Sequence, residues 1–168
     1  LRYGQLIESI PSLGKYFSID NRGQVSIIHY KDKKVEVYPS QEIRTTSPIK
    51  GFNPHITAEG VLEDIVQGQD TRKTIDEIHK KGGLAVIEHN TTKTHSWLQY
   101  VLTNDEENEF TRELFKIADA TEVFNSYNTL WMCLSNAAAK REAEDYPIPK
   151  IAGSDLHFGT SSKTCKNF

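Results

Sequence analysis

The sequence predicts an α/β fold, built either as a mostly parallel sheet or as an α/β barrel. Two observations support this prediction. Three segments have apolar residues at helical spacing, and each of them is followed by a short apolar run of the strand type. Such alternation is typical of a sheet that is covered by helices. Because functional side chains in these folds gather at the carboxyl ends of strands, we expect the site there.

The predicted elements begin with an irregular first third. A short helix stopped by Pro11 is expected at 3–10, and two strands joined as a hairpin through Lys31-Asp32-Lys33 are expected at 24–30 and 34–38. Three later helices are predicted at 71–81, 107–118 and 129–144, the first of them ending at Gly82. The strands that follow these helices are predicted at 84–88, 121–124 and 149–152.

Length and composition indicate a single domain over 1–168, in which 1–34 form irregular structure or extra strands. The chain has 168 residues, 37% of them hydrophobic, and no apolar run of membrane-spanning length. A net charge of −3 gives no polybasic field, so we expect no dedicated nucleic-acid surface. With Cys133 and Cys165 as the only cysteines, we expect no disulfide framework and a cytoplasmic location.

Asp155 and His157 form the first candidate metal-binding pair, just after the apolar run that breaks at Gly153. In extended backbone, side chains two positions apart point to the same side, so this carboxylate and imidazole can converge. Such a pair can bind a hard or borderline divalent ion. The same residue types also fill polar turns, so the pair gains weight only from companions elsewhere in the chain.

Three companions stand where strands are expected to begin or end. His89 directly follows the buried-strand pattern at 84–88, Glu42 lies near the end of a second apolar stretch, and His55 opens a short apolar piece after Pro54. The candidate metal ligands are therefore Glu42, His55, His89, Asp155 and His157.

Four motifs occur in a recognisable order: Pro39-Ser40-Gln41-Glu42 with His55, Gly82-Gly83 through His89, Thr121-Glu122-Val123-Phe124-Asn125 with Asn136-Ala137, and Gly153-Ser154-Asp155-Leu156-His157. Together they resemble the polymerase and histidinol phosphatase (PHP) domain family of metal-dependent phosphoesterases, over a family-like core at 35–160. The resemblance implies a distorted (β/α) barrel of the PHP type whose carboxyl face carries the five ligands.

The chain departs from the family at its amino-terminal end. The family's His-x-His motif and a following Asp-His pair are absent, since His29 is the only histidine before His55. Those residues supply about half of the metal cluster in catalytic members. The chain is therefore either amino-terminally incomplete or a degenerate member. Because Leu1 is not a start residue and the other motifs are little eroded, we expect an amino-terminally incomplete barrel.

The resemblance implies hydrolysis of phosphate esters, either small phosphomonoesters or nucleotides, by metal-activated water. Two or three ions of Mn, Zn or Fe are expected if the full site is present, and Glu42 can bridge two of them. Arg44 shares a strand face with Glu42 and could form a bidentate contact with the phosphate. The candidate catalytic residues are Arg44, His89 and Asp155.

Two other functions are compatible with these residues. One is a non-catalytic PHP-like module for binding or architecture, which predicts loose or absent metal, and the other is an amidohydrolase-like hydrolase, which fits the motifs less well. Three further residues are interpreted from position: Glu88 as structural, Asn125 as a residue that orients a ligand or substrate, and Asn136 as the anchor of a helix to a neighbouring loop. A small phosphorylated substrate is the expected partner, with no membrane partner, and the oligomeric state stays open.

Overall fold

The computed structural model describes residues 18–22, 25–88, 105–125 and 130–153. Within these ranges there are three helices: α1 (Thr71–Lys80), α2 (Asp105–Leu114) and α3 (Leu130–Ala143). The eight strands in the same ranges are β1 (Ser18–Arg22), β2 (Val25–Tyr30), β3 (Lys33–Val37), β4 (Ser40–Arg44), β5 (His55–Glu59), β6 (Leu84–Glu88), β7 (Ala120–Asn125) and β8 (Lys150–Gly153).

The first sheet is an antiparallel meander in the order β1-β2-β3. The predicted hairpin is confirmed, because β2 and β3 pair antiparallel from Tyr30 opposite Lys33. Lys31, in the turn between them, has a φ of 55°, the left-handed conformation that tight hairpin turns require. Pro39 is buried between β3 and β4, and it separates the chain into two sheets where the sequence suggested one apolar stretch.

The second sheet is open, and the predicted barrel is wrong. Its order is β4-β5-β6-β7-β8, so the first and last strands lie at opposite edges instead of pairing with each other. Closure into a barrel needs that last pairing. The sheet is also mixed: β4, β5 and β6 pair antiparallel, whereas β6, β7 and β8 run parallel. The described residues therefore form a small mixed α/β fold with two sheets.

The main core lies between one face of the five-stranded sheet and the helices. Alternation along the strands sends one set of side chains to this core face, namely Ile43, Ile56, Ala58, Ala85 and Ile87. All three helices add buried residues to the same cluster, including Ile75 and Ile78 from α1 and Leu114 from α2. Because the helices occupy this face, the side chains that alternate with it define a separate second face of the sheet.

The second face is defined by His55, Thr57 and Glu59 of β5 together with Val86 and Glu88 of β6. Thr57 and Val86 are also buried, at 4% and 5% exposure, although they point away from the helical core. Residues of the flanking strands β4 and β7 extend this face on both sides of β5 and β6. Most polar side chains of the sheet are collected here.

The Gly82-Gly83 motif connects α1 to β6, and each of its two positions favours glycine for a different physical reason. Gly82 has a φ of +76°, the left-handed conformation that commonly ends a helix. Gly83 is buried, and a Cβ added there would collide with the Val61 side chain and lie 2.9 Å from the Glu59 carbonyl oxygen. The motif therefore lets α1 pack closely against the sheet before β6 begins.

Candidate functional site

The termini of five strands lie side by side at one end of the second sheet, and we call this row of strand termini the site edge. β4 ends there at Arg44 and β5 begins there at His55, because these two residues are paired across antiparallel strands. β6 ends there at Glu88, the partner of His55. The parallel strands β7 and β8 end at the same edge, with Asn125 opposite Gly153. The topology thus brings to one place chain segments that are far apart in the sequence.

Glu42 and His55 are in direct contact at this edge. The distance between Glu42 Oε1 and His55 Nδ1 is 2.6 Å, which is a short hydrogen bond or ion pair across neighbouring strands. The His55 side chain is 28% exposed and the Glu42 side chain 43% exposed, so the pair is reachable from solvent. The carboxylate fixes the orientation of the imidazole ring, as carboxylates commonly do for histidines at functional sites.

Arg44 lies beside this pair on the same face. Its backbone is held firmly, because its N–H donates to Gln67 Oε1 at 2.7 Å and its carbonyl accepts from the Gly68 N–H at 2.8 Å. Its side chain is exposed, and no carboxylate of the described residues forms an ion pair with its guanidinium. The strand register places it next to the Glu42–His55 pair, where an anionic group bound at the edge would meet it.

Glu88 faces the same side as His55. Its Oε1 accepts a hydrogen bond from the hydroxyl of Thr57, the buried residue that lies two positions after His55 on β5. Because cross-strand partners on one face have Cβ atoms about 4.5–5.5 Å apart, the Glu88 carboxylate and the His55 ring are neighbours. Sequence reasoning treated Glu88 as structural, but the register puts it among the polar groups of the site edge.

Glu122 is a buried carboxylate on the same face of β7, at 5% exposure. The register pairs Val86 with Ala120, so Glu122 lies on the side of the sheet that carries Val86 and Glu88. Its Oε2 accepts from the Asn125 Nδ2 amide at 3.3 Å. A Cβ added to Gly153 on β8 would collide with Glu122 Oε1. The absence of a side chain at Gly153 thus provides the space that the carboxylate occupies.

Asn136 of α3 holds the end of β7 through both of its amide atoms. Its Oδ1 accepts from the Asn125 N–H at 2.9 Å, and its Nδ2 donates to the Asn125 carbonyl at 3.0 Å. The side chain therefore pairs with both backbone groups of the last residue of β7. Asn136 thus anchors its helix as expected, but its partner is the last residue of strand β7 and not a loop.

A buried network of threonine hydroxyls fixes the chain just before His55. The N–H and the hydroxyl of Thr45 both donate to the Pro54 carbonyl, at 3.0 and 2.7 Å. The Thr45 hydroxyl also contacts the Thr71 hydroxyl at 2.8 Å, and the latter donates to the Thr46 carbonyl at 2.9 Å. The network joins the end of β4, the start of β5 and the first turn of α1.

A histidine–carboxylate pair of similar chemistry lies at the opposite edge of the sheet. His79 Nε2 is 2.8 Å from Asp119 Oδ2, and the same oxygen accepts from the Ala85 N–H at 2.7 Å. Here the carboxylate joins the end of α1 to the start of β6, so the pair has a structural explanation. It offers an internal control for the Glu42–His55 pair.

The structure places three of the six predicted site residues: Glu42, His55 and Arg44 lie together at the site edge. His89, Asp155 and His157 lie outside the described residues, although in the sequence His89 directly follows Glu88 and Asp155 follows Gly153 by two positions. Glu122 could not be recognised as a site residue from the sequence, because its neighbours on other strands become known only from the strand register.

The donor set at this edge consists of imidazole and carboxylate groups, which suits borderline divalent ions. Neighbouring ligands of a tetrahedral ion, each about 2.1 Å away, are about 3.4 Å apart. The 2.6 Å contact is shorter, so Glu42 Oε1 and His55 Nδ1 bind each other in this arrangement. Glu42 Oε2 and His55 Nε2 are the atoms that could face an ion. Among the described residues, no three His, Cys, Asp or Glu side chains form a group that could hold a metal.

Comparison with known proteins gives no assignment: no protein-family model matches the chain, and no curated protein matches it. In the described part of the chain, none of the helices has the length and apolar character needed to cross a bilayer. The functional argument therefore depends on the residues of the site edge.

Proposed function

We propose that this protein is a metal-dependent phosphoesterase that hydrolyses a small phosphomonoester or a nucleotide and resembles the PHP family in its site motifs. The observation that carries the proposal is the Glu42–His55 contact of 2.6 Å at an edge where five strand ends meet. A carboxylate-oriented histidine is a common component of sites that bind divalent ions. The sequence continues from this edge into the remaining candidate ligands, His89, Asp155 and His157.

The described residues have separate roles in this proposal. Glu42 would orient the His55 ring through their hydrogen bond, and the His55 imidazole and the Glu42 carboxylate would both be ligands of the ion. Arg44 presents an exposed, permanently charged guanidinium whose planar donors match two phosphate oxygens. Mn, Zn or Fe ions, two or three if the site is complete, would supply an activated water and neutralise charge on the phosphoryl oxygens. We also place the protein in the cytoplasm, because its two cysteines give no disulfide framework.

The proposal is tested by Mn²⁺ binding to the purified chain, measured by calorimetry, together with hydrolysis of p-nitrophenyl phosphate. We expect His55→Ala to weaken Mn²⁺ binding at least about 10-fold, because loss of a residue that only orients a ligand already costs about 10- to 100-fold. The matched control is His79→Ala, which removes the histidine of the carboxylate pair at the opposite edge. This control should bind Mn²⁺ like the wild type.

Two results would oppose the proposal. If the wild-type chain binds no Mn²⁺, Zn²⁺ or Fe²⁺, the site edge is not a metal site. If metal binds but no phosphate ester is hydrolysed, the non-catalytic binding module becomes the better description. Equal affinity in the His55→Ala and wild-type proteins would place any bound metal elsewhere.

A further inference from the structure

We infer that Glu122 is a positioning residue of the proposed metal site, where its carboxylate fixes the ends of β7 and β8 beside each other. This inference rests on the proposed function and extends it to a residue outside the six candidates. Glu122 is 5% exposed, lies on the second face of the sheet and reaches over the last residue of β8. A carboxylate this deeply buried needs hydrogen-bonding partners to offset its lost hydration.

Its position is set by a chain of contacts that starts in α3. Asn136 binds both backbone groups of Asn125, at 2.9 and 3.0 Å, and so fixes the backbone from which the Asn125 amide projects. That amide donates to Glu122 Oε2 at 3.3 Å. These hydrogen bonds connect the helix to the carboxylate through two asparagines. An apolar side chain at 122 would be enough if this part of β7 served packing alone.

The other carboxylate oxygen depends on Gly153. A Cβ there would collide with Glu122 Oε1, so the end of the Glu122 side chain would have to move away from its position over β8. Gly153 ends β8, and in the sequence the candidate ligands Asp155 and His157 follow it closely. Glu122 thus acts through the strand end over which it lies.

A double-mutant cycle tests this role, with Mn²⁺ affinity measured by calorimetry and thermal unfolding measured on each protein. The variants are Glu122→Ala, Gly153→Ala and their combination. We expect each single variant to weaken Mn²⁺ binding at least fivefold. The combination should be no weaker than Glu122→Ala, because the added methyl group then meets no carboxylate.

A charge control separates this role from general electrostatics. Glu59 is a half-buried carboxylate on the same face at the far end of β5, bound by the Ser40 hydroxyl at 3.0 Å. Glu122→Gln should weaken Mn²⁺ binding, and Glu59→Gln should leave it within twofold of the wild type. Both substitutions remove one charge and keep the side-chain shape.

The outcomes distinguish the inference from the proposed function. If the wild type binds Mn²⁺ and the Glu122 variants bind it equally well, the inference fails and the proposed site stands. Additive losses in the double variant would also overturn it, because they would show that Glu122 and Gly153 act independently. If the wild type binds no metal, both fail. A variant with unchanged thermal unfolding but weaker binding excludes misfolding as the cause.

Discussion

Replacing Thr45 by valine removes one hydroxyl from the buried network in front of His55 and keeps the side-chain volume. In the wild type, the hydroxyls of Thr45 and Thr71 take part in three polar contacts, but each hydroxyl has only one hydrogen atom to donate. Only two of the three contacts can therefore be hydrogen bonds at the same time. After the substitution, Thr71 still donates to the Thr46 carbonyl and the Thr45 N–H still donates to the Pro54 carbonyl. No acceptor is left without a donor.

The expected cost is therefore that of one hydrogen bond, about 1 kcal/mol in the free energy of unfolding. In a chain of this size, such a loss lowers the melting temperature by about 2–4 °C. Urea denaturation and thermal denaturation both measure it. Because the lost bond holds Pro54 just before His55, the NMR signals of the His55 ring should also shift.

Thr74→Val is the matched control. Thr74 is equally buried, and its hydroxyl also donates to a carbonyl, that of Asp70, which accepts the Thr74 N–H as well. The control should lose similar stability and leave the His55 signals unchanged. The reasoning is refuted if Thr45→Val is as stable as the wild type, or if both variants shift the His55 ring equally.

Two further predictions concern α1 and the pH dependence of stability. Asp70 caps α1, because its side chain accepts hydrogen bonds from the N–H groups of Arg72 and Lys73 at 3.1 and 3.2 Å. Asp70→Ala should therefore lower the free energy of unfolding, measured by urea denaturation, by about 1 kcal/mol. The control Asp76→Ala, on the exposed side of α1, should lower it by less than about 0.5 kcal/mol. Burial raises the pKa of Glu59 above its usual 4.5, more than the Ser40 hydroxyl lowers it. The folded state then holds a proton that the unfolded state has lost, so this carboxyl makes stability fall as pH rises from 4.5 through the higher folded pKa. Unfolding of Glu59→Gln from pH 4 to pH 7 should lack this decline, and a parallel pH dependence in both proteins would contradict the assignment.

The sequence predicted the local elements well because their signals are local. The predicted strand at 84–88 matches β6, and the helix predicted at 71–81 is α1, ending before Gly82. In both cases apolar spacing and a glycine stop signal act within a few residues. The predicted strand at 121–124 likewise falls inside β7.

The sheet topology could not be predicted in the same way, because it depends on pairing between distant segments. The alternation of helices and strands suggested parallel strands and closure, but β4 and β5, which precede α1, run antiparallel. The local sequence pattern of β8 does not indicate that this strand lies at the end of the sheet order. The barrel prediction depended on this alternation and on the resemblance, and the pairing of strands overturned it.

The candidate site was predicted in part for the same reason. Glu42 and His55 were selected from their positions at expected strand ends, and the register brings them into contact. In the sequence, Glu122 is recognisable only as part of a motif, since its relation to Gly153 becomes visible when β7 and β8 are paired. Strand alternation identifies which residues share a face within one strand, but not which strands are neighbours.

The strand pairs that form the site edge join segments widely separated along the chain, with α1 between β5 and β6 and α2 between β6 and β7. Helices can form early in folding from local contacts, whereas such pairings must first overcome the entropy of closing long loops. Glu42 and His55 need only the pairing of β4 with β5, whereas Glu88 and Glu122 join them only after β6 and β7 have paired with the sheet. Partly folded chains can have native helices and still lack the arrangement needed to hold a ligand, so ligand capture is confined to the fully folded population.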